Sequence, residues 1–217
     1  MQYDENKRKI SDDFNWDDYS KEHYIPQAKE QMERREMFLL KETYIENGEI
    51  IEKDNVHFNS INICKDVLKY KPKSVFECGC GAGYHLQNIK HLFPKTIIAG
   101  CDLLRSQVKD AGKFLKVKKS ITDNILVLDF LDDNSVSEIL HTFFREKFDY
   151  VFTNAVVMHL NFENAVKFIE NMIKLNPDIL RINEGQASQQ NWDEIYQESG
   201  LFDKYNKTDD MFVYKIK

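Results

Sequence analysis

Between residues 77 and 83 the chain reads Glu-Cys-Gly-Cys-Gly-Ala-Gly, which places three of its eight glycines within five positions. Immediately before it, Ser74–Cys78 is a short apolar run of strand length. Immediately after it, Tyr84–Phe93 carries Leu86, Ile89 and Leu92 at helical spacing. A strand, a glycine turn and a helix in that order open an α/β unit built on a parallel sheet. Glycine allows the tight turn and lets the backbone approach a ligand closely. The helix start adds unpaired N–H groups and the positive end of a dipole. In such sheets ligands bind at the carboxyl edge of the strands.

The chain after Pro72 repeats the alternation. Strands are predicted at Thr96–Cys101, Ile125–Leu128, Tyr150–Asn154 and Ile179–Ile182. Between them lie helical stripes Leu104/Val108/Ala111/Leu115, Val136/Ile139/Leu140/Phe143 and Ala165/Ile169/Met172/Ile173, the last capped by Asn161. A short helix is expected around Asp193–Ser199. Two terminal strands, around Leu201–Tyr205 and Met211–Ile216, flank a turn at Lys207–Asp210. The fold class is therefore α/β, doubly wound around a mostly parallel sheet.

Residues 1–71 have a different texture. Phe14, Trp16, Tyr19 and Tyr24 stand among acidic residues, too aromatic for a purely solvated tail. Helix formers fill Pro26 to Asn47, with Asn47-Gly48 as the expected helix stop. A further helix after Asp54 carries Ile61, Cys64, Val67 and Leu68. The expected division is an N-terminal helical cap or lid over residues 1–71, packed on a catalytic core over 72–217. The 217 residues suffice for such a core without a disulfide or a structural metal.

Charge narrows the partners. The net charge is −6, and residues 1–54 account for all of it, with 15 acidic and 9 basic side chains. An acidic chain disfavours binding to nucleic acid, which needs a basic surface. The basic run Lys109, Lys113, Lys116, Lys118 and Lys119 reads as a solvated helix face. No apolar run reaches membrane-span length, and the N-terminus lacks the order of a secretory signal. Cys64, Cys78, Cys80 and Cys101 read as reduced core thiols, which places the protein in the cytoplasm. The Cys78-x-Cys80 spacing has no second pair to complete a zinc site.

The glycine loop departs from the dinucleotide pattern G-x-G-x-x-G and lacks the Lys-Ser/Thr of a triphosphate loop. Its leading residue, Glu77, is acidic. A carboxylate at a strand end repels a pyrophosphate and suits a cationic ligand. Asp102 follows Gly79 by 23 residues, at the end of the second strand, where a carboxylate can grip ribose hydroxyls.

These residues resemble the class I S-adenosylmethionine-dependent methyltransferases over roughly residues 72–217. The resemblance implies a seven-stranded sheet of order 3-2-1-4-5-7-6 with an antiparallel last strand. It implies S-adenosylmethionine as cofactor and S-adenosylhomocysteine as product. Gly79, Gly81 and Gly83 would meet the amino acid end, and Glu77 would orient the loop or the ammonium group. Asp102 would hold the ribose, Asp129 and Phe130 the adenine, with Leu103 a further cofactor-binding residue. Asn154 would begin the substrate-facing loop. Tyr19, His23 and Tyr24 fall where family members carry a lid, and Tyr84, Val157 and Asn183 fall beside the pocket. A nicotinamide-binding protein with an altered loop is the competing fold-level reading.

Methyl transfer to a hydroxyl needs a general base near the methyl group. His159, just past the fourth strand, has the right chemistry. Packing or capping of the next helix would place a histidine there equally well. Glu184 is the second candidate, as a base or a substrate ligand. Asn154 with Asn183 and Glu184 could instead gather a cation. The metal-binding pattern has Asp at the fourth strand where this chain has Asn, so no metal is expected. The stretch Asn154-Ala155-Val156-Val157 is not the Asn/Asp-Pro-Pro-Tyr of base and glutamine methylases. Residues 151–160 resemble methylases found with bacterial surface-sugar biosynthesis, except that Ala155 replaces a glycine. The expected acceptor is a small polar molecule, foremost a sugar hydroxyl. N-methylation of a small amine and a non-catalytic, cofactor-binding partner subunit stay open.

Overall fold

The computed structural model describes residues 39–53, 57–108, 117–184 and 191–217. Tyr19, His23, Tyr24, the expected helix from Pro26 as far as residue 38, Ala111, Leu115 and the lysines at 109, 113 and 116 lie outside the described residues; the rest of that helix, over 39–47, is instead irregular chain followed by a strand. The described chain opens with a hairpin, β1 (Tyr44–Glu46) and β2 (Glu49–Ile51). Here the expected helix stop is corrected. Asn47 and Gly48 both adopt positive φ, 51° and 82°, the geometry that closes a two-residue hairpin. The flanking Tyr44, Ile45, Ile50 and Ile51 are strand formers, so the turn chemistry pairs them instead of ending a helix.

Helix α1 (Phe58–Tyr70) starts at His57, whose Nδ1 accepts the Asn59 N–H, and ends at Lys71 in the left-handed region before Pro72. The core then follows as β3 (Ser74–Cys78), α2 (Tyr84–Leu92), β4 (Ile97–Asp102), α3 (Lys119–Thr122), β5 (Ile125–Val127) and α4 (Ser135–Thr142). It continues as β6 (Tyr150–Asn154), a 3₁₀ turn (Val157–His159), α5 (Phe162–Lys174), β7 (Ile179–Asn183) and α6 (Trp192–Glu198). It ends with α7 (Leu201–Lys204), β8 (Tyr205–Lys207) and β9 (Val213–Ile216). The expected strand at Leu201–Tyr205 is thus mostly a helical turn; Gly200, left-handed at φ 70°, starts it and buries Leu201.

The main sheet runs β5-β4-β3-β6-β7-β9-β8, which in its own strand count is 3-2-1-4-5-7-6. All pairs are parallel except those of β9, which is antiparallel to both neighbours. Alternate strand residues feed two cores. Phe76, Ala99, Val151 and Leu180 pack under α4 and α5. Val75, Ile98, Tyr150 and Phe152 pack under α1 and α2. Asn161 caps α5 by accepting the Asn164 N–H at 2.8 Å. The four cysteines are buried free thiols, and burial pushes Cys64 up to about 12. These layers leave the carboxyl ends of β3, β4, β6 and β7 together at one edge.

Candidate active site

The strand β3 ends in the glycine loop, which is held by backbone bonds and by the buried side chains of Cys80 and Ala82. The N–H groups of Gly79 and Cys80 both donate to the Cys101 carbonyl, at 2.9 and 3.0 Å. Gly79, Gly81 and Gly83 all have positive φ, 72°, 53° and 80°. Two of the three also tolerate no side chain. A Cβ on Gly79 would lie 2.4 Å from Val156 Cγ2, and one on Gly83 would lie 2.6 Å from Ile125 Cδ1. The first contact places the segment after β6 directly against the glycine loop.

Asp102 staples this loop to the end of β4. Its Oδ2 accepts the Gly81 N–H at 2.7 Å and its Oδ1 accepts the Leu104 N–H at 2.9 Å. Burial raises its carboxyl, and the two backbone donors pull it back. Each oxygen retains a second acceptor lone pair. Leu103, beside it, is exposed.

Glu77 is 2% exposed, and its Oε1 lies 2.7 Å from His85 Nδ1. Its other oxygen, Oε2, is buried without a hydrogen-bond partner. Burial raises the Glu77 carboxyl, with His85 opposing by charge and hydrogen bond. The sequence offers His85 a place beside the glycine loop, lining the pocket or starting the helix, but conceals its partner. A histidine in the first turn after an acid-led glycine loop is a visible signal, but its partner stands eight residues away across a turn.

At β5, Asp129 is exposed and accepts the Leu131 N–H at 2.9 Å, a local turn. Phe130 departs from its expected place. Its ring is 5% exposed and packs edge-on against Phe168, so it is a core side chain and not the face of an adenine pocket. Its carbonyl is also taken, by Asn171 and Ser135. Val157 is likewise fully buried in the core, not a pocket-lining residue. The resemblance placed both by position along the chain, which does not say whether a side chain faces the core or the pocket.

Asn154 and Asn183 are register partners on β6 and β7, and the Asn183 amide donates to Asn154 Oδ1. That bond occupies an oxygen a cation would use. The chain then turns through Ala155, left-handed at φ 57°, into the 3₁₀ turn carrying the half-buried His159. Glu184, just after β7, is buried under this turn, and its Oε2 accepts the Met158 N–H at 3.0 Å. Burial pushes its carboxyl up to about 7, against the backbone N–H groups of Met158, Val157 and Val156. Its Oε1 has no hydrogen-bond partner. Tyr84, half-buried, opens α2 with its ring 4.3 Å from that of His85.

The edge therefore joins a glycine loop, an acid at each of two strand ends and a histidine-bearing turn. Residues 76–176 match the profile of a methyltransferase domain family. Over those residues, just under half of its length, the chain carries a methyltransferase domain of the S-adenosylmethionine-dependent kind. Its cofactor is S-adenosylmethionine. Among solved structures, it resembles magnesium protoporphyrin IX methyltransferase from Synechocystis PCC 6803, at 12% identity and a TM-score of 0.52, over 100% of this chain and 96% of that one. The methyltransferase domain of bacterial CtHen1 matches at 15% identity and a TM-score of 0.51, over 73% and 97%. The sugar N-methyltransferase KedS8 from Streptoalloteichus sp. matches at 17% identity and a TM-score of 0.43 over 58% of this chain; the chain spans only about half of it, 47%. The first two likenesses show the fold. No curated protein matches the chain. Among the described residues, no helix of the methyltransferase is long and apolar enough to cross a membrane.

Proposed function

We propose that this methyltransferase transfers the methyl group to a hydroxyl of a small polar acceptor, foremost a sugar, with His159 as general base. The observation that carries the reading is the contact between Gly79 and Val156, which sets the histidine-bearing segment against the glycine loop. The residues present fit the cofactor. A buried carboxylate oxygen of Glu77 lacks a partner, and at Gly81 an added Cβ would meet nothing nearer than 3.9 Å, so the loop backbone there is open to a ligand. Gly79, Gly81 and Gly83 would meet the amino acid end, Glu77 the ammonium group, and Asp102 the ribose through its remaining lone pairs. Adenine would lie against Asp129 and Leu103.

The cofactor supplies an electrophilic methyl group on a sulfonium. The chain's own task is alignment and proton removal. Transfer is an in-line displacement, so holding the acceptor behind the methyl group is the largest contribution. A hydroxyl acceptor also has to lose its proton, which His159 accepts as the bond forms. Glu184 acts one step back, because its buried carboxyl grips the turn that carries His159. Asn154 and Asn183 hold each other across β6 and β7 and support the floor of the same pocket.

The test is isotope transfer from labelled S-adenosylmethionine to a panel of nucleotide sugars and small amines, with wild type and His159→Ala. Loss of sugar methylation with cofactor affinity intact supports the base. Undiminished turnover in His159→Ala removes it. Methylation of amines alone, through the neutral amine, establishes the N-methylation reading. Wild-type transfer without any partner protein excludes the role of a non-catalytic subunit.

A further inference from the structure

The pair Glu77–His85 does more than fill space. Both side chains are nearly inaccessible, 2% and 3% exposed, and they meet at 2.7 Å. A buried carboxyl costs much less when a donor satisfies one oxygen. It still retains a second oxygen, and here Oε2 has no hydrogen-bond partner. The pair therefore leaves a single free acceptor at the root of the glycine loop.

The surroundings sharpen the point. His85 sits in the first turn of α2, between the ring of Tyr84 and the edge of Phe152 on β6. Asp102, from β4, disfavours a charge on Glu77. His57, from the cap of α1, senses the charge of His85. The buried thiols of Cys78 and Cys80 sense the charge of Glu77. Among the charged groups described here, His85 alone favours the carboxylate form of Glu77. Without it, a carboxyl this deeply buried would keep its proton and lose its attraction for a cation.

We propose that His85 is a positioning residue of the methyl-donor site: it holds Glu77 by Oε1 as the carboxylate, so that Oε2 receives the α-ammonium group of S-adenosylmethionine. The inference rests on the reading that the glycine loop cradles the amino acid end of that cofactor.

Calorimetry on the full chain tests it, using S-adenosylhomocysteine and its desamino analogue, which keeps the carboxylate and lacks the amine. Wild type binds the amine-bearing ligand more tightly, by about 10-fold or more, as a charge-assisted hydrogen bond requires. His85→Phe loses that preference: the S-adenosylhomocysteine affinity falls about 10-fold while the desamino affinity stays within about twofold. His85→Asn restores an N–H near the Nδ1 position and recovers part of the preference. An equal fall for both ligands in His85→Phe marks a merely structural role and overturns the proposal, as does an unchanged preference. Should His85→Phe not fold, His85→Ala takes its place with the same two ligands, and a preference equal to wild type overturns the proposal. Wild type binding neither ligand overturns the cofactor reading itself, a result distinct from all of these.

Discussion

Glu184 Oε2 accepts the Met158 N–H at 3.0 Å, and this contact ties the end of β7 to the turn that carries His159. The tie is sensitive to pH. The carboxyl has its ordinary value of 4.5 when unfolded and about 7 when folded. Between those values the native state holds a proton that the unfolded state has released. The group's contribution is therefore fully present below 4.5 and is lost as pH rises through 7, by about 3 kcal/mol in all. Glu184→Gln keeps the acceptor and removes the titration. Urea unfolding from pH 4.5 to 8 should show the variant gaining on wild type by about that amount across the window. Glu184→Ala should lower kcat by about 10-fold or more through a misplaced turn, since small displacements are costly. Its cofactor affinity should be nearly unchanged.

The glycine loop and the segment after β6 are coupled by one steric contact. Gly79→Ala meets two penalties. The left-handed φ of 72° costs about 1–2 kcal/mol, and the 2.4 Å approach to Val156 costs about 1–3 kcal/mol more. Adding Val156→Ala should recover the second penalty and leave the first. Gly48→Ala is the control: its φ is 82°, but nothing lies within 4 Å of the added Cβ, so only the backbone penalty applies. Denaturant unfolding of these three variants, with Val156→Ala alone as the fourth, measures the split. Equal costs for Gly79→Ala with and without Val156→Ala would refute the coupling.

How much of this was legible depends on what each residue had to reveal. The strands Ser74–Cys78 and Tyr150–Asn154 read correctly at both ends. Each is a continuous buried run cut off sharply, by glycine or by the turn at Ala155. The strand order came from resemblance, because residues alone do not say which strand lies beside which. Asn47-Gly48 misled because the same pair ends helices and closes hairpins; only the strand formers on both sides distinguish the two. Phe130 and Val157 misled because a sequence shows that a side chain is apolar, not which way it faces. The Glu77–His85 pair was invisible for another reason: its two members meet only after the glycine loop has turned back on itself.

Ala155 holds the left-handed backbone form, φ 57°, that glycine adopts without strain. Ala155→Gly relieves about 1–2 kcal/mol of strain and costs about 0.5–1 kcal/mol in unfolded-chain entropy. The expected net is a gain of about 0.5 kcal/mol, read as a small rise in the urea midpoint at constant slope. A loss of stability would show that the turn at 155 prefers the alanine methyl.

Arg181, on β7, is the largest fully buried side chain, and it joins three elements. Its Nη1 donates to Asp66 of α1 at 2.7 Å and to Asp210, before β9, at 3.1 Å. Tyr150 of β6 donates to the same Asp66 oxygen at 3.0 Å. Removing the cation strands a buried carboxylate, so Arg181→Met should cost about 3–5 kcal/mol at pH 7. The loss should depend on pH in a defined direction. Burial already raises Asp66 above its usual 3.8, and Arg181 opposes that rise by charge and hydrogen bond. In the variant the opposition is gone, so the folded-state value climbs further. Between 3.8 and that higher value the variant's native state holds a proton the unfolded chain has lost, and its stability falls as pH rises. The deficit relative to wild type is therefore smallest near pH 4 and grows toward neutrality. Urea unfolding of Arg181→Met, and of Arg181→Met with Asp66→Asn, measures it. The second change should remove the pH dependence and restore much of the stability at pH 7, because no buried carboxylate then remains at 66. A deficit independent of pH would mean that Arg181 holds α1 to the sheet by packing alone.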